Sequence, residues 1–338
     1  MLEEENNKIY FILPFSEMVS SYVRALTLKK YSPNGWEFIY LRGKYPRLLN
    51  FYPARFFYRV FFFLVKLILM TRKNSNLYFI SPQNPFILFL LKALKRNIII
   101  DIHDAIHDKN LLGYRRSINL IKASNGQIFE SIEYESFWKK KLNFVSSVIE
   151  DTPQNDNVYD NYVSRNKTMI WVGSHHTCSI LMNYLSEIKL FYDSGYDIRL
   201  LGCSIEVRDF FLRNKIDVYS IIEYDRIKMI RELENAKVSF VPMPNDDLFK
   251  FRGNLKAKIS MSYGCVTLAS DIDMHKRLIE NNKTGFLFSD SDEVVKIIKK
   301  LDNINLCSSI SKAGSLYVNK KFSRKAHAEK VVEFISSF

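Results

Sequence analysis

Residues 238–288 read VSFVPMPNDDLFKFRGNLKAKISMSYGCVTLASDIDMHKRLIENNKTGFLF. The segment starts with the uncharged run VSFV, continues through a polar loop that carries Arg252, and resumes an uncharged run, VTLAS, at 266–270. Such short apolar runs are typical of strands in a parallel sheet that is covered on both faces. A short helix with Lys256 and Lys258 is predicted between them. The segment therefore indicates a βαβ unit, whose functional groups lie at the carboxyl ends of its strands.

The same alternation of apolar strands and amphipathic helices runs through the whole chain, with one polar interruption. Its 338 residues are too many for one ordinary core and predict two domains of about 150 residues each. We predict an α/β protein with an N-terminal Rossmann-like domain at 1–150, a linker at 151–167 and a C-terminal Rossmann-like domain at 168–322. A C-terminal helix follows at 323–338, and packing against the N-terminal domain is one option for it. Two such domains would face a central cleft.

The charge of the chain predicts an anionic partner. The net charge is +13, which suits nucleic acid, acidic lipid or a phosphorylated substrate. No Asp or Glu occurs between residues 38 and 100, where Arg55, Arg59 and Lys66 are interleaved with aromatic residues. A basic helix with an aromatic face predicts contact with an anionic membrane surface; the alternative is a buried helix with a solvated basic edge. No nucleic-acid-binding module is recognisable, so we do not expect nucleic acid to be the partner.

Two further features concern the compartment. The acidic start MLEEENNK lacks the pattern of a secretory signal, and the longest apolar run is too short to cross a bilayer. None of the four cysteines forms a CxxC pair or has a histidine at zinc-ligand spacing, which predicts core thiols in a reducing compartment. We therefore expect a cytoplasmic protein that associates peripherally with the inner face of the membrane.

The segment TMIWVGSHHT at 168–177 predicts a phosphate site. Its strand ends in a turn at Gly173 and Ser174, and a helix is predicted to start near Thr177. Glycine lets the backbone approach a ligand closely, and a helix N-terminus offers free N–H groups. The alternative is an ordinary strand-to-helix turn. GxGxxG and GxxxxGK[ST] are absent, so dinucleotide or P-loop chemistry has no direct support.

Several motifs together resemble the donor domain of GT-B glycosyltransferases, especially the retaining family 4 group. The spacing from Lys256 to Gly264, the following strand at 265–270, the motif KTGFL at 283–287 and the turn at 172–174 carry the resemblance. It implies GT-B architecture and transfer of a hexose-type sugar, with retention, from a UDP- or GDP-sugar to a glycan or lipid-linked glycan. It also implies that no metal or other cofactor is needed.

The resemblance also assigns residues. Those expected at the donor phosphates are Gly173, Ser174, Arg252, Lys256 and Lys258. His103 follows the buried strand at 97–102, where family members often carry a histidine that faces the cleft, and it is the catalytic candidate with its neighbour Asp104. His103 and His107 could instead form a metal pair, or His103 could cap the next helix.

One departure from the family motivates a rival interpretation. The paired glutamates of the family, eight residues apart, would fall at Phe251 and Ile259. A non-catalytic GT-B-like subunit that binds a partner enzyme or a glycan is therefore an alternative. A third option is a metal-dependent GT-A-like enzyme that uses the DxD motif at 271–273 or at 290–292, although the latter also matches a helix N-cap.

Overall fold

The computed structural model describes residues 9–13, 19–31, 37–40, 61, 64–65, 67–71, 73–80, 84–102, 111–153, 155–175, 177–222, 225–245, 249 and 251–338. Packing divides the chain into two compact units. The first comprises Met1–Asp151, Phe251–Gly253 and Arg324–Phe338. The second comprises Thr152–Lys250 and Asn254–Ser323.

Each unit contains a parallel sheet. The strands of the first are β1 (Ile9–Leu13), β2 (Glu37–Tyr40), β3 (Asn76–Ile80), β4 (Asn97–Ile102), β5 (Gly126–Phe129) and β6 (Val145–Val148). Those of the second are β7 (Asn166–Val172), β8 (Asp197–Leu201), β9 (Val218–Ile221), β10 (Ala236–Val241), β11 (Val266–Ser270) and β12 (Phe286–Phe288). The strand orders are β2-β1-β3-β4-β5-β6 and β12-β11-β10-β7-β8-β9.

Helices connect most of these strands. Within the described residues they are α1 (Val19–Tyr31), α2 (Pro85–Ala93), α3 (Leu111–Ala123), α4 (Ile132–Lys139), α5 (Leu185–Asp193), α6 (Ile205–Arg213), α7 (Arg226–Asn235), α8 (Leu255–Ser262), α9 (Asp273–Lys276), α10 (Ser291–Leu301), α11 (Ile304–Lys321) and α12 (Arg324–Ser336). The helix predicted over 177–193 instead begins as a 3₁₀ segment, Cys178–Tyr184, before α5. No helix of the described residues is long and apolar enough to span a bilayer.

The first sheet is covered on both faces, as the sequence of β4 predicts. Ile98 and Ile100 pack in a core with α2 and α3, whereas Ile99 packs on the other face with α1 and α12. The C-terminal helix α12 is therefore part of the first unit. Asn76 strengthens its attachment, because its amide nitrogen donates to the carbonyl oxygen of Ile335 over 2.9 Å.

A buried ion-pair network lies in the first unit. The guanidinium of Arg24 on α1 pairs with the carboxylates of Asp101 on β4 and Asp151, and the hydroxyl of Tyr78 donates to Asp101. Burial alone would lower the pKa of Arg24, but the two carboxylates outweigh it and raise that pKa well above its usual value. Since removal of one partner leaves a buried charge uncompensated, we expect the network to fix α1 against the sheet.

The segment expected to be a linker belongs to the second unit from Thr152 onward, whereas Asp151 belongs to the first. Arg165 is buried, and its guanidinium donates to the carbonyl oxygens of Leu233, Ala236 and Tyr263 over 2.9, 3.1 and 2.6 Å. Asn155 donates to the carbonyl oxygen of Ser262 over 2.7 Å. The polar composition that suggests a linker therefore supplies hydrogen bonds to the backbone of this unit.

Two buried histidines predict a loss of stability in acid. Burial, helped by nearby Arg24, lowers the pKa of His327 to about 4, and burial lowers the pKa of His275 to about 4. The pKa of histidine in an unfolded chain is about 6.5, so the unfolded chain takes up protons first as the pH falls. Stability is therefore full at neutral pH and falls between about pH 6.5 and about pH 4.

The free energy of unfolding should fall between about pH 7 and about pH 5 in the natural protein and in His327→Gln. We expect the fall to be smaller in His327→Gln by roughly 2 kcal/mol, because the variant has no histidine to protonate on unfolding. Urea unfolding at both pH values measures the difference. His275→Gln is the matched variant in the second unit and should show a similar effect. An equal acid-induced loss in the natural protein and both variants would contradict the assignment.

Candidate functional site

The strand order of the second sheet reverses between β7 and β10, which are hydrogen-bonded neighbours. The connection from β7 leads to β8 on one side, and the connection from β10 leads to β11 on the other. In open α/β sheets, ligands bind outside the carboxyl ends of the strands at this switch point. The turn at Gly173 follows β7 directly, so the predicted phosphate turn lies at the switch point.

Gly173 lies too close to its neighbours to carry a side chain. A Cβ atom at this position would lie 2.2 Å from Cη2 of Trp171 and 3.0 Å from the amine nitrogen of Lys256. The backbone amide of Gly173 donates to the carbonyl oxygen of Leu201 over 3.0 Å and ties the turn to β8. The amine of Lys256 therefore lies beside the turn itself.

Lys256 is held in this position by a hydroxyl group and an indole ring. It lies in the first turn of α8, with its amine nitrogen 3.2 Å from Oγ1 of Thr177 and 4.8 Å from the ring centroid of Trp171. Oγ1 of Thr177 also lies 3.3 Å from the amide nitrogen of Ser174. The amine of Lys256 and the hydroxyl of Thr177 thus meet beside the turn, and a lysine amine with a neighbouring hydroxyl group suits a phosphate or another anion. The N–H groups of Gly173 and Ser174 already have acceptors within the chain, so the cation carries the interpretation.

Gly202, which the sequence analysis missed, completes the turn. Its φ is +75°, and a Cβ atom there would lie 2.2 Å from the carbonyl oxygen of Gly173. The only local signal is a glycine directly after the strand DIRLL, which is also typical of ordinary turns. Trp171 and Thr177 were likewise missed as partners of Lys256, since nothing in their own sequence positions points to it.

The other two predicted phosphate residues are placed differently. Arg252 belongs to the short segment of the first unit, Phe251–Gly253, and is half-buried. Lys258 is fully buried, with its amine nitrogen 4.0 Å from the ring centroid of Phe322. The structure thus brings Gly173, Ser174 and Lys256 together, while roles for Arg252 and Lys258 stay predictions.

The positions at which the family carries its glutamates are occupied by packed apolar side chains. The ring of Phe251 lies 5.5 Å from that of Tyr134 and 5.0 Å from that of Phe137, and its carbonyl oxygen accepts from Oγ of Ser131 over 2.9 Å. Ile259 packs against a core cluster of the second unit. Both residues therefore contribute to packing.

His103, Asp104, His107, Arg55, Arg59 and Lys66 lie outside the described residues. Among the residues that are described, no group of three or more His, Cys, Asp and Glu side chains could hold a metal ion. Asp290 caps α10 by accepting from the amide of Glu293 over 2.9 Å, which confirms the capping interpretation of that DxD motif. All four cysteines are buried free thiols, as predicted.

No protein-family model and no curated protein matches the chain. Solved structures do match. HepE from Anabaena, in complex with UDP and glucose, is 12% identical with a TM-score of 0.73, over 98% of this chain and 100% of that one. Sucrose-phosphate synthase from Thermosynechococcus elongatus is 12% identical with a TM-score of 0.74, over 98% of each chain. TarM is 13% identical with a TM-score of 0.62, over 82% of this chain and 58% of TarM.

The chain has the GT-B fold of these glycosyltransferases, and the predicted fold class is confirmed.

The close approach at Gly202 yields a stability prediction with a matched control. Gly195 also has a positive φ, +77°, but nothing lies within 4 Å of the Cβ position there. We expect Gly195→Ala to cost about 1 kcal/mol for the backbone conformation alone. Gly202→Ala should cost at least about 2 kcal/mol more, because the methyl group displaces the Gly173 turn. Thermal unfolding compares the two variants, and equal losses would show that the turns do not touch.

Proposed function

We propose that this chain is a glycosyltransferase that moves a hexose-type sugar from a UDP- or GDP-sugar to a glycan or lipid-linked glycan. The observation that carries the proposal is the amine of Lys256 beside the Gly173 turn, at the switch point of the second sheet. The GT-B fold supports it, and HepE, which shares that fold, was crystallised with UDP and glucose.

In the proposed reaction, the bond between the anomeric carbon and the diphosphate oxygen breaks. A new bond forms between that carbon and an acceptor hydroxyl oxygen, and the hydroxyl proton passes to the departing diphosphate. Lys256 would stabilise the charge that develops on the leaving group, and electrostatic stabilisation of this kind is the largest contribution in many enzymes. Arg252 would add a second cation. We propose retention of configuration and no requirement for a metal, as the family resemblance implies.

The proposal of a lipid-linked acceptor rests on the positive charge of the chain. The chain is strongly basic, and its acid-free stretch lies in the N-terminal unit. A lipid-linked acceptor would hold its sugar close to an anionic leaflet, where a basic protein is concentrated. We therefore propose peripheral association with the cytoplasmic face of the membrane, through Arg55, Arg59 and Lys66 among others.

A non-catalytic sugar-binding subunit is the second candidate, and one observation favours it. Phe251 and Ile259 occupy the positions of the family's glutamates and are packed among apolar side chains. Release of free sugar or transfer to an acceptor by the purified protein supports the enzyme. Donor binding without turnover, across a panel of UDP-, GDP- and ADP-sugars, supports the subunit.

Lys256→Ala should weaken nucleotide-sugar binding by about tenfold or more, because a hydrogen bond to a charged group contributes roughly 1.5–3 kcal/mol. Titration calorimetry with the sugar nucleotide selected by thermal shift measures the affinity. Lys299→Ala, which removes an exposed lysine from α10, is the matched control and should bind like the natural protein. Unchanged affinity of Lys256→Ala, with the fold intact, would remove the residue from the site.

His103→Ala should lower turnover by about 10²-fold, the contribution typical of a positioned proton-transfer group. Donor affinity should change much less, because an interaction made mainly in the transition state affects the rate. Steady-state kinetics and calorimetry on the same preparation separate the two effects. Turnover within about twofold of the natural protein would dismiss the assignment.

A further inference from the structure

Helix α2 is apolar except for Lys92 in its last turn, yet it buries only one face. Its sequence is PFILFLLKA, and Ile87, Leu88 and Leu91 are buried in the first unit. Phe86 and Phe89, three residues apart and therefore on one side of the helix, are 60% and 45% exposed. A helix that is hydrophobic all round is normally enclosed by protein or by lipid.

The neighbouring helical residues 67–70 repeat this pattern. Leu67 is buried, whereas Leu69 is 80% exposed and Ile68 and Met70 are also exposed. Leu94, just after α2, is exposed as well. The exposed apolar surface of these two elements consists of Ile68, Leu69, Met70, Phe86, Phe89 and Leu94.

One guanidinium joins the two helix ends. Arg96 donates to the carbonyl oxygen of Thr71 over 2.8 Å and to that of Leu94 over 2.9 Å. The amide of Asn74 donates to the carbonyl oxygen of Lys95 over 2.8 Å, so the turns that follow the two helices also lie side by side. Carbonyl groups that would otherwise need water at these ends therefore have partners within the protein.

Among the described residues of these helices and of the turns that follow them, the exposed charges have one sign. Lys73 and Lys95 are exposed in the two adjacent turns, and Lys122 is exposed at the end of α3. Neither α2 nor α3 contains an acidic residue, and none occurs anywhere from residue 38 to residue 100. The occupant of the surface must therefore tolerate or neutralise several cations.

We propose that the exposed apolar surface docks on an anionic lipid bilayer, with Leu69 and Phe89 in the interface and Lys73 and Lys95 at the headgroups. Acidic headgroups supply the counter-charge, and the layer beneath them receives apolar side chains. A second copy fits less well, because a two-fold contact brings this surface against itself without a carboxylate to oppose the lysines. The inference rests on the membrane association proposed above and specifies the residues that achieve it.

Sedimentation with vesicles of phosphatidylglycerol and phosphatidylcholine tests the proposal, with pure phosphatidylcholine as the reference. The natural protein should bind the anionic vesicles more strongly and be released at about 1 M salt, where the Debye length is about 3 Å. The variants are Leu69→Ser with Phe89→Ser, and Lys73→Glu with Lys95→Glu. Each pair should weaken binding by about tenfold. Ile227→Ser, which changes an apolar residue 65% exposed in the second unit, should bind like the natural protein.

Binding of both double variants equal to that of the natural protein overturns the assignment of this surface while membrane association stands. Failure of the natural protein to bind any vesicle overturns both. A dimer in sedimentation velocity that Leu69→Ser dissociates would instead assign the surface to a second copy. The affinity for the sugar nucleotide, measured by calorimetry, should be the same in these variants as in the natural protein. Failure of the natural protein to bind any sugar nucleotide would contradict the proposed transferase function without bearing on the membrane surface.

Discussion

The candidate site depends on how closely two turns approach each other. The carbonyl oxygen of Gly173 occupies space that a Cβ atom at residue 202 would need, and Trp171 fills the space that one at residue 173 would need. Because neither glycine carries a side chain, the turn after β7 rests directly on the turn after β8. The amine of Lys256 then reaches the backbone of the first turn. The position of this cation is therefore a consequence of steric room at two glycines.

Buried guanidinium groups hold secondary-structure elements together within each unit. Arg24 pairs with two carboxylates, whereas Arg96 and Arg165 donate mainly to backbone carbonyl oxygens. A planar guanidinium has five donors in a fixed geometry, which allows one side chain to satisfy groups from separate elements at once. Not every basic residue of the sequence is therefore available to an anionic partner. These three arginines are structural and do not contribute to an accessible anion-binding surface.

Much of the fold could be predicted from local patterns, because strands such as β4 and β11 are short apolar runs bounded by polar residues. The glycine turn after β7 and the lysine of α8 could also be identified from motif spacing. The contact between Gly173 and Gly202 could not, since it joins positions 29 residues apart through the sheet. The burial of Lys258 could not be predicted from the sequence either. Residues two apart on a helix point about 200° away from each other, so Lys256 and Lys258 occupy opposite environments although both suit phosphate.

Arg165 bears on how the two halves of such a chain could be exchanged between related proteins. Its guanidinium holds the ends of α7 and α8 through the carbonyl oxygens of Leu233 and Tyr263. A chimera joined just before Asn166 would keep β7 but replace this arginine, and both carbonyl oxygens would lose its guanidinium as a hydrogen-bond donor. A junction before Thr152 transfers the arginine along with the strands that it serves. The second unit therefore begins more than a dozen residues before its first strand.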